Sequence, residues 1–406
     1  MAGLFPRGQD DRAVSQDRTK RSASRALGWQ AIRACRESVG PQGPLARSVS
    51  YERRPQPRVP QPRISPVEKS MNLASTPSPS WPAGAWLEAG DGHRIWWCEG
   101  GDAAGWPVLI VHGGPGGASR TETTRWFDGL PVRWIVFDQR GCGRSTPLGS
   151  TVANDLAALV ADAERLREQL GIERWALVGG SWGARVALAY ASAHTAHTAG
   201  LFLRSPFLGS PAEAARYVAD WDDWLGDPGR HWLGAARVSA FQALFHAGAR
   251  QDVPIGADAA LCRAWSAYDD AQGVAGGVKG SGARFSPERL PTLTGALLAS
   301  WEVHAHYAAT RWRGTQAAAQ PWSIESVAPR SLADLGPLAL VWGEADATCD
   351  PQVARALATR WPTAVACPAA GAGHRMSDPH LAPVLREQAQ RWARRLAALE
   401  ALRRGV

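Results

Sequence analysis

No apolar run in this 406-residue chain reaches the ~20 residues that a membrane-spanning helix needs, so a membrane protein of helical type is not expected. Paired cysteine spacing is missing as well. Cys35, Cys98, Cys142, Cys262, Cys349 and Cys367 are scattered singly, which fits reduced thiols in a cytoplasmic setting better than a disulfide framework. The N-terminal stretch lacks the apolar h-region of a secretory signal, and Asp10, Asp11 and Asp17 argue against an organellar transit peptide. There is no Cys/His cluster with metal-ligand spacing; His304 and His306 form an H-x-H pair that nothing completes, and both read as structural.

Charge imbalance is absent from most of the chain too. Residues 1–70 hold fourteen Lys or Arg against six Asp or Glu, a net +8 equal to that of the whole chain, so the other 336 residues balance at 31 of each sign. The body therefore offers no basic face for nucleic acid. The first seventy residues have little apolar periodicity and carry the proline-rich stretch Pro55 to Pro66, so they are expected to be a disordered basic tail. Met71, just before a Ser/Thr/Pro spacer, is the expected initiator, with the tail an upstream translation artefact.

What the body does contain is a strand that runs into a glycine-framed serine. Trp175 to Ala191 begins apolar, passes through Gly179-Gly180-Ser181-Trp182-Gly183, and leaves as an amphipathic helix. A serine on so sharp a strand-to-helix turn needs small neighbours, because its backbone is strained and flanking Cβ atoms would collide. The turn aims the first helical N–H groups at whatever the serine attacks, which suits a developing oxyanion. Upstream, the strand Pro107 to Val111 ends in HGGPGG, His112 to Gly117, the expected second half of an oxyanion hole; His112 itself reads as a loop brace. The strand Val132 to Phe137 then ends in DQRGCGRS, Asp138 to Ser145. Cys142 there reads as a small buried filler.

A serine nucleophile on this architecture should be followed by an acid and then a histidine. The strand Leu338 to Trp342 ends in a loop holding Glu344, Asp346 and Asp350; Asp346 is preferred, with the other two as rivals. The strand Thr363 to Cys367 precedes Gly371-Ala372-Gly373-His374, and His374 is the expected base. The order of elements predicts an open, mostly parallel, doubly wound sheet with helices on both faces. The first part of the core spans 71–204, a helical cap 205–333, and the second part 334–406. Within the cap, Gly273 to Gly282 reads as a flexible loop that gates access.

Together HGGPGG, DQRGCGRS, GGSWG, the G-x-x-D loop and GAGH resemble the prolyl iminopeptidase family of α/β-hydrolases, from about Trp86 to the C-terminus. Trp86 to Glu88 and Asp91 to Ile95 resemble the family's opening hairpin. Thr151 to Ile172 resembles its long helix, with Thr151 or Asn154 able to cap it and Leu156, Leu159, Val160, Ala163, Leu166 and Leu170 forming an apolar stripe. The resemblance implies the triad Ser181, Asp346 and His374, with oxyanion donors on Trp182 and in the Gly113-Gly114 loop.

It also implies small peptide substrates with an N-terminal proline, whose ammonium is met by cap carboxylates. The family's W-x-x-W-E segment appears here as Trp265 to Asp269, and its I-E-x-H-Y segment as Trp301 to His304, so Asp269 and Glu302 are the implied amine-binding residues. Asp269 is one methylene shorter than the family glutamate, withdrawing the carboxylate by about 1.5 Å; Asp270 is a candidate to compensate. Trp265, Tyr268, Trp301 and Tyr307 can form cap core or a surface for the proline ring. Acyl transfer through Ser181 needs neither metal nor organic cofactor, and no membrane or nucleic-acid partner is expected. The alternatives are an esterase or amidase with a drifted cap, and an inert ligand-binding module of the same fold.

Overall fold

Continuous runs of Val, Ile, Leu and Trp make strands that can only be buried on both faces, and these build the centre of the molecule. The computed structural model describes residues 81–245, 258–311 and 335–404. The expected tail 1–70, Met71, and the stretches 246–257 and 312–333 of the expected cap lie outside the described residues.

Eight strands form one sheet: β1 Ala85–Glu88, β2 Arg94–Gly101, β3 Trp106–Val111, β4 Val132–Phe137, β5 Trp175–Gly180, β6 Thr198–Arg204, β7 Leu338–Gly343 and β8 Val365–Ala369. Their spatial order is β1-β2-β4-β3-β5-β6-β7-β8. The opening hairpin pairs Leu87 with Ile95, and β2 joins β4 antiparallel. From β4 to β8 every pairing is parallel. The last strand begins two residues later than the sequence suggests, after the turn closed by Ala364 N–H on the Trp361 carbonyl.

Strand alternation divides the core. Leu109, Leu177, Leu201 and Leu340 face one side, under the helices α1 Leu156–Gln169 and α2 Trp182–Ala193; Ile110, Val178, Phe202 and Val341 face the other, under the C-terminal helix. The apolar stripe of α1 is buried from Leu156 to Leu166. Its cap is neither Thr151 nor Asn154. Asp155 holds that position and accepts from Ala158 N–H at 2.9 Å, because the Asn154 amide donates to the carbonyls of Arg140 and Ser150 and its oxygen accepts from Tyr307. An asparagine drawn into these three bonds has nothing left for a helix end.

Between β6 and β7 lie α3 Pro211–Tyr217, α4 Trp221–Leu233, α5 Ala235–Phe245, α6 Ala259–Gln272, α7 Gly277–Ser281 and α8 Gly295–Arg311; after β7 come α9 Pro351–Arg360 and α10 Leu381–Arg404. Aromatic rings bind the inserted helices together. Trp221 stacks on Phe241 with ring centres 3.8 Å apart and meets Tyr268 edge-on at 5.1 Å. The segment Gly273 to Gly282 is not a free loop. It forms α7, Gly276 N–H donates to the Ala345 carbonyl at 2.8 Å, and the Gly273 carbonyl accepts from His374 and Arg375 N–H at 3.1 Å each. Backbone groups of the facing loops satisfy the glycines' exposed peptide groups, and that holds the segment in place.

Candidate functional site

β5 delivers its last residue, Gly180, directly into Ser181, whose φ of 55° and ψ of −124° lie where an L side chain is strained. Ser181 N–H is anchored by the Arg204 carbonyl at 2.9 Å, and α2 starts at the next residue. Gly183 makes this turn possible: a Cβ there would run into the carbonyl oxygens of Val111 and His112, the second at 2.7 Å. The HGGPGG loop comes equally close. A Cβ on Gly113 would stand 3.0 Å from the Gly180 carbonyl oxygen and 3.5 Å from Ser181 Cβ. His112 braces this loop, with Nδ1 2.8 Å from the Gly113 carbonyl and Nε2 accepting Gln139 N–H at 2.9 Å.

Because β7 and β8 are parallel neighbours, the loops leaving their C-terminal ends are adjacent, and Asp346 meets His374 there. His374 Nδ1 lies 2.8 Å from Asp346 Oδ2, and Asp346 Oδ1 accepts N–H bonds from Thr348 at 3.0 Å and Cys349 at 2.8 Å. Burial raises the carboxyl's pKa, but the His374 ring, Cys349 N–H and the Ser205 side chain outweigh it and hold Asp346 below the ordinary carboxylate range. The rivals are engaged elsewhere. Glu344 accepts from the Trp342 indole and pairs with Arg355; Asp350 caps α9 through Gln352 N–H.

Cys349 links the pair to the serine, since its N–H holds Asp346 while its Sγ lies 3.5 Å from Ser181 Oγ. Burial, with Asp346 adding to it, pushes this thiol well above its ordinary pKa, so it stays neutral beside the hydroxyl. Arg204, buried at the end of β6, donates to the His374 carbonyl at 2.7 Å, while its own carbonyl takes Ser181 N–H. One residue thus ties the histidine loop to the serine turn. Nothing in the local pattern of Arg204 or Cys349 marks them, because their partners lie 170 and 168 residues away.

Of the two carboxylates on these helices, Asp269 is half-buried on α6. It accepts from the Tyr217 hydroxyl at 2.9 Å, and that oxygen in turn accepts from the Trp265 indole at 3.0 Å. Burial raises the Asp269 pKa and prevails over the Tyr217 bond and His374. Asp270 does not substitute for it: that side chain is exposed and pairs with Arg375 at 3.1 Å. Glu302 lies on α8 beside the loop after β4, where a Cβ on Gly149 would collide with its Oε2.

The cap aromatics divide their tasks. Trp265, Tyr268, Trp301 and Tyr307 are all buried; Tyr307 reaches the serine turn, its ring centre 4.6 Å from that of Trp182. His306 bonds the Asn154 carbonyl at 2.8 Å, and His304 is buried among Trp265, Phe245 and Tyr217, where burial lowers its pKa to about 4. Cys142 is buried, and burial pushes its thiol up to about 12. Away from the site, the fold does gather one trio with metal-ligand chemistry, Glu164, His194 and His197, within 4.8 Å of one another. Its carboxylate already accepts from Arg167, Tyr190 and His197.

The sheet order, the strained serine between β5 and α2, and the helices inserted after β6 define an α/β hydrolase. The family model for the alpha/beta hydrolase fold matches residues 107–378, and the chain belongs to that family. Within it, the chain is similar to proline iminopeptidases. It is 40% identical to the one from Neisseria gonorrhoeae over 153 residues, 38% of this chain and 46% of that protein. It is 35% identical to the one from Arabidopsis thaliana over 192 residues, 45% of this chain and 49% of that protein. The chain spans about half the length of these curated relatives. A solved esterase from Rhodococcus sp. shares the fold, with a TM-score of 0.50 and 19% identity over 77% of this chain and 99% of that one. Among the described residues no helix is long and apolar enough to cross a membrane.

Proposed function

We propose that this protein is a serine aminopeptidase that releases N-terminal proline from small peptides. The observation that carries the reading is Asp269. It is a half-buried carboxylate whose one side-chain hydrogen bond among the described residues comes from a neutral tyrosine. A carboxylate partly withdrawn from water without a bonded cation gains from an incoming ammonium, and the secondary ammonium of an N-terminal proline supplies one. Glu302 is the second amine-binding residue. The likeness to proline iminopeptidases supports the same substrate class.

In the proposed reaction Ser181 Oγ attacks the carbonyl of the N-terminal proline and passes its proton to His374 Nε2, while Asp346 holds the imidazole by Nδ1. Trp182 N–H and Gly114 N–H receive the oxyanion. The tetrahedral adduct collapses by breaking the peptide C–N bond, and His374 returns the proton to the departing amine. Water, deprotonated by His374, then hydrolyses the acyl-enzyme and frees proline.

The test compares a proline arylamide, other aminoacyl arylamides and a short acyl ester on wild type and Ser181→Ala. Proline arylamide hydrolysis by wild type that disappears in the variant, with an unchanged melting temperature, is the expected result. Turnover of the ester alone overturns the peptidase reading, and arylamide hydrolysis surviving in Ser181→Ala overturns the serine mechanism.

A further inference from the structure

We propose that Gln139, in the turn after β4, is the positioning residue that holds the two oxyanion donors in register with each other. The proposal rests on the serine-hydrolase reading above and adds to it a residue whose hydrogen bonds go to Trp182 and His112.

The two donor peptides belong to separate loops, and an oxyanion is stabilised only if both N–H groups point at one spot. Gln139 is buried where those loops meet, and its side-chain and backbone groups each make a hydrogen bond there. Its Oε1 accepts the indole N–H of Trp182 at 3.0 Å. Its Nε2 donates to the His112 carbonyl at 2.7 Å, its backbone N–H donates to His112 Nε2 at 2.9 Å, and its carbonyl accepts Cys142 N–H at 3.0 Å. An indole can only donate and a carbonyl can only accept, so the amide has one possible orientation.

The same logic settles His112. Gln139 N–H is a donor at 2.9 Å and the Gly113 carbonyl an acceptor at 2.8 Å, both shorter than the 3.3 Å from Gln139 Nε2 to Nδ1, so Nε2 is the bare nitrogen and Nδ1 donates to the Gly113 carbonyl. That carbonyl belongs to the planar peptide whose N–H is on Gly114. Fixing one end of a trans peptide fixes the other. Burial lowers the His112 pKa, which keeps the ring in this neutral form.

A chain of hydrogen bonds therefore runs from Trp182, whose backbone supplies one donor, through Gln139 and His112 to the peptide that supplies the second. Each link in a buried chain polarises the next. Tyr307 presses on the Trp182 ring from the inserted helices, at 4.6 Å between centres, so the ring has little freedom to compensate if its amide partner is lost. Such misalignment acts on a bond made fully only in the transition state, and it therefore lowers kcat rather than raising KM.

The experiment uses Gln139→Ala, Gln139→Glu, Trp182→Phe and the Gln139→Ala/Trp182→Phe double variant of the full chain. Trp182→Phe removes the indole N–H and leaves the backbone donor in place. Measured quantities are kcat and KM on whichever arylamide or ester wild type hydrolyses, the rate of Ser181 labelling by a fluorophosphonate, and the melting temperature. Gln139→Ala is expected to lower kcat and the labelling rate by about ten- to a hundredfold with KM nearly unchanged. Trp182→Phe should reproduce part of that loss, and the double variant should be no worse than Gln139→Ala, because both changes break one chain. Gln139→Glu keeps the volume and the acceptor for Trp182 but sets a carboxylate oxygen against the His112 carbonyl. It should lose kcat as Gln139→Ala does, which keeps the test open if the alanine variant does not fold. Folded variants with wild-type kcat, losses that multiply in the double variant, or a rise in KM instead of a fall in kcat overturn the role of Gln139. An unlabelled and inactive wild type overturns the hydrolase reading itself, and with it this one.

Discussion

Tyr217 donates its phenolic hydrogen to Asp269 at 2.9 Å from across the inserted helices, α3 to α6. A carboxylate one methylene short would otherwise be free to swing; the tyrosine, held by the Trp265 indole and by ring contact with Tyr268 at 5.8 Å, gives it one orientation. The side chain is thus placed by a hydrogen bond.

Replacing Asp269 by Asn should raise KM for a proline arylamide by about a hundredfold while leaving hydrolysis of a neutral ester within a few-fold of wild type. Burial raises the Asp269 pKa, so its charge is lost as pH falls through a value above 3.8. Inhibition by proline amide should accordingly weaken on acidification in wild type, and that pH dependence should be reduced in Asp269→Asn. Inhibition constants measured across mildly acidic pH check both points.

Asp346→Asn should cost about 10⁴-fold in kcat, because an amide no longer enforces the tautomer with the proton on His374 Nδ1. Asp346 has a depressed pKa, so its contribution to stability is present above the unfolded value near 3.8 and is lost only as pH falls through the lower folded value. Denaturation midpoints recorded from pH 5 downward should fall more steeply for wild type than for the variant.

His304 loses stability on acidification as well, in a higher pH window. Burial lowers its pKa to about 4 from 6.5, so the unfolded chain takes up a proton before the folded one does. Stability should decline as pH falls from about 6.5 toward 4, by at most about 3 kcal/mol from this residue. His304→Phe should flatten that part of the profile in melting experiments.

Gly183→Ala should disrupt the serine turn, since the new methyl meets two backbone carbonyls that belong to β3 and its loop. A loss of more than about a hundredfold in kcat together with a lower melting temperature is expected. Gly295→Ala is the control: its Cβ meets nothing within 4 Å, and the change at the start of α8 should be neutral or stabilise by up to about 1 kcal/mol.

The features legible in the linear chain are those with local causes. Val132 to Phe137 and Leu338 to Trp342 are apolar runs too short for helices and bounded by polar loops, and they became β4 and most of β7. The glycines around Ser181 announce a strained turn because the clash they avoid lies only a few bonds away. Helix ends were less legible. Asn154 is as good a cap as Asp155 in isolation, and a tyrosine 153 residues further along decided between them.

By itself, then, the sequence determined the strands, the serine turn, and the two loops in which an acid and a histidine had to lie. Only the tertiary structure decided that Asp346, and not Glu344 or Asp350, meets His374, that Tyr217 orients Asp269, and that Gln139 joins Trp182 to His112. The reason is physical. Period and backbone strain act within a few residues, whereas each of these hydrogen bonds depends on which parallel strands lie side by side and which helices are laid over them.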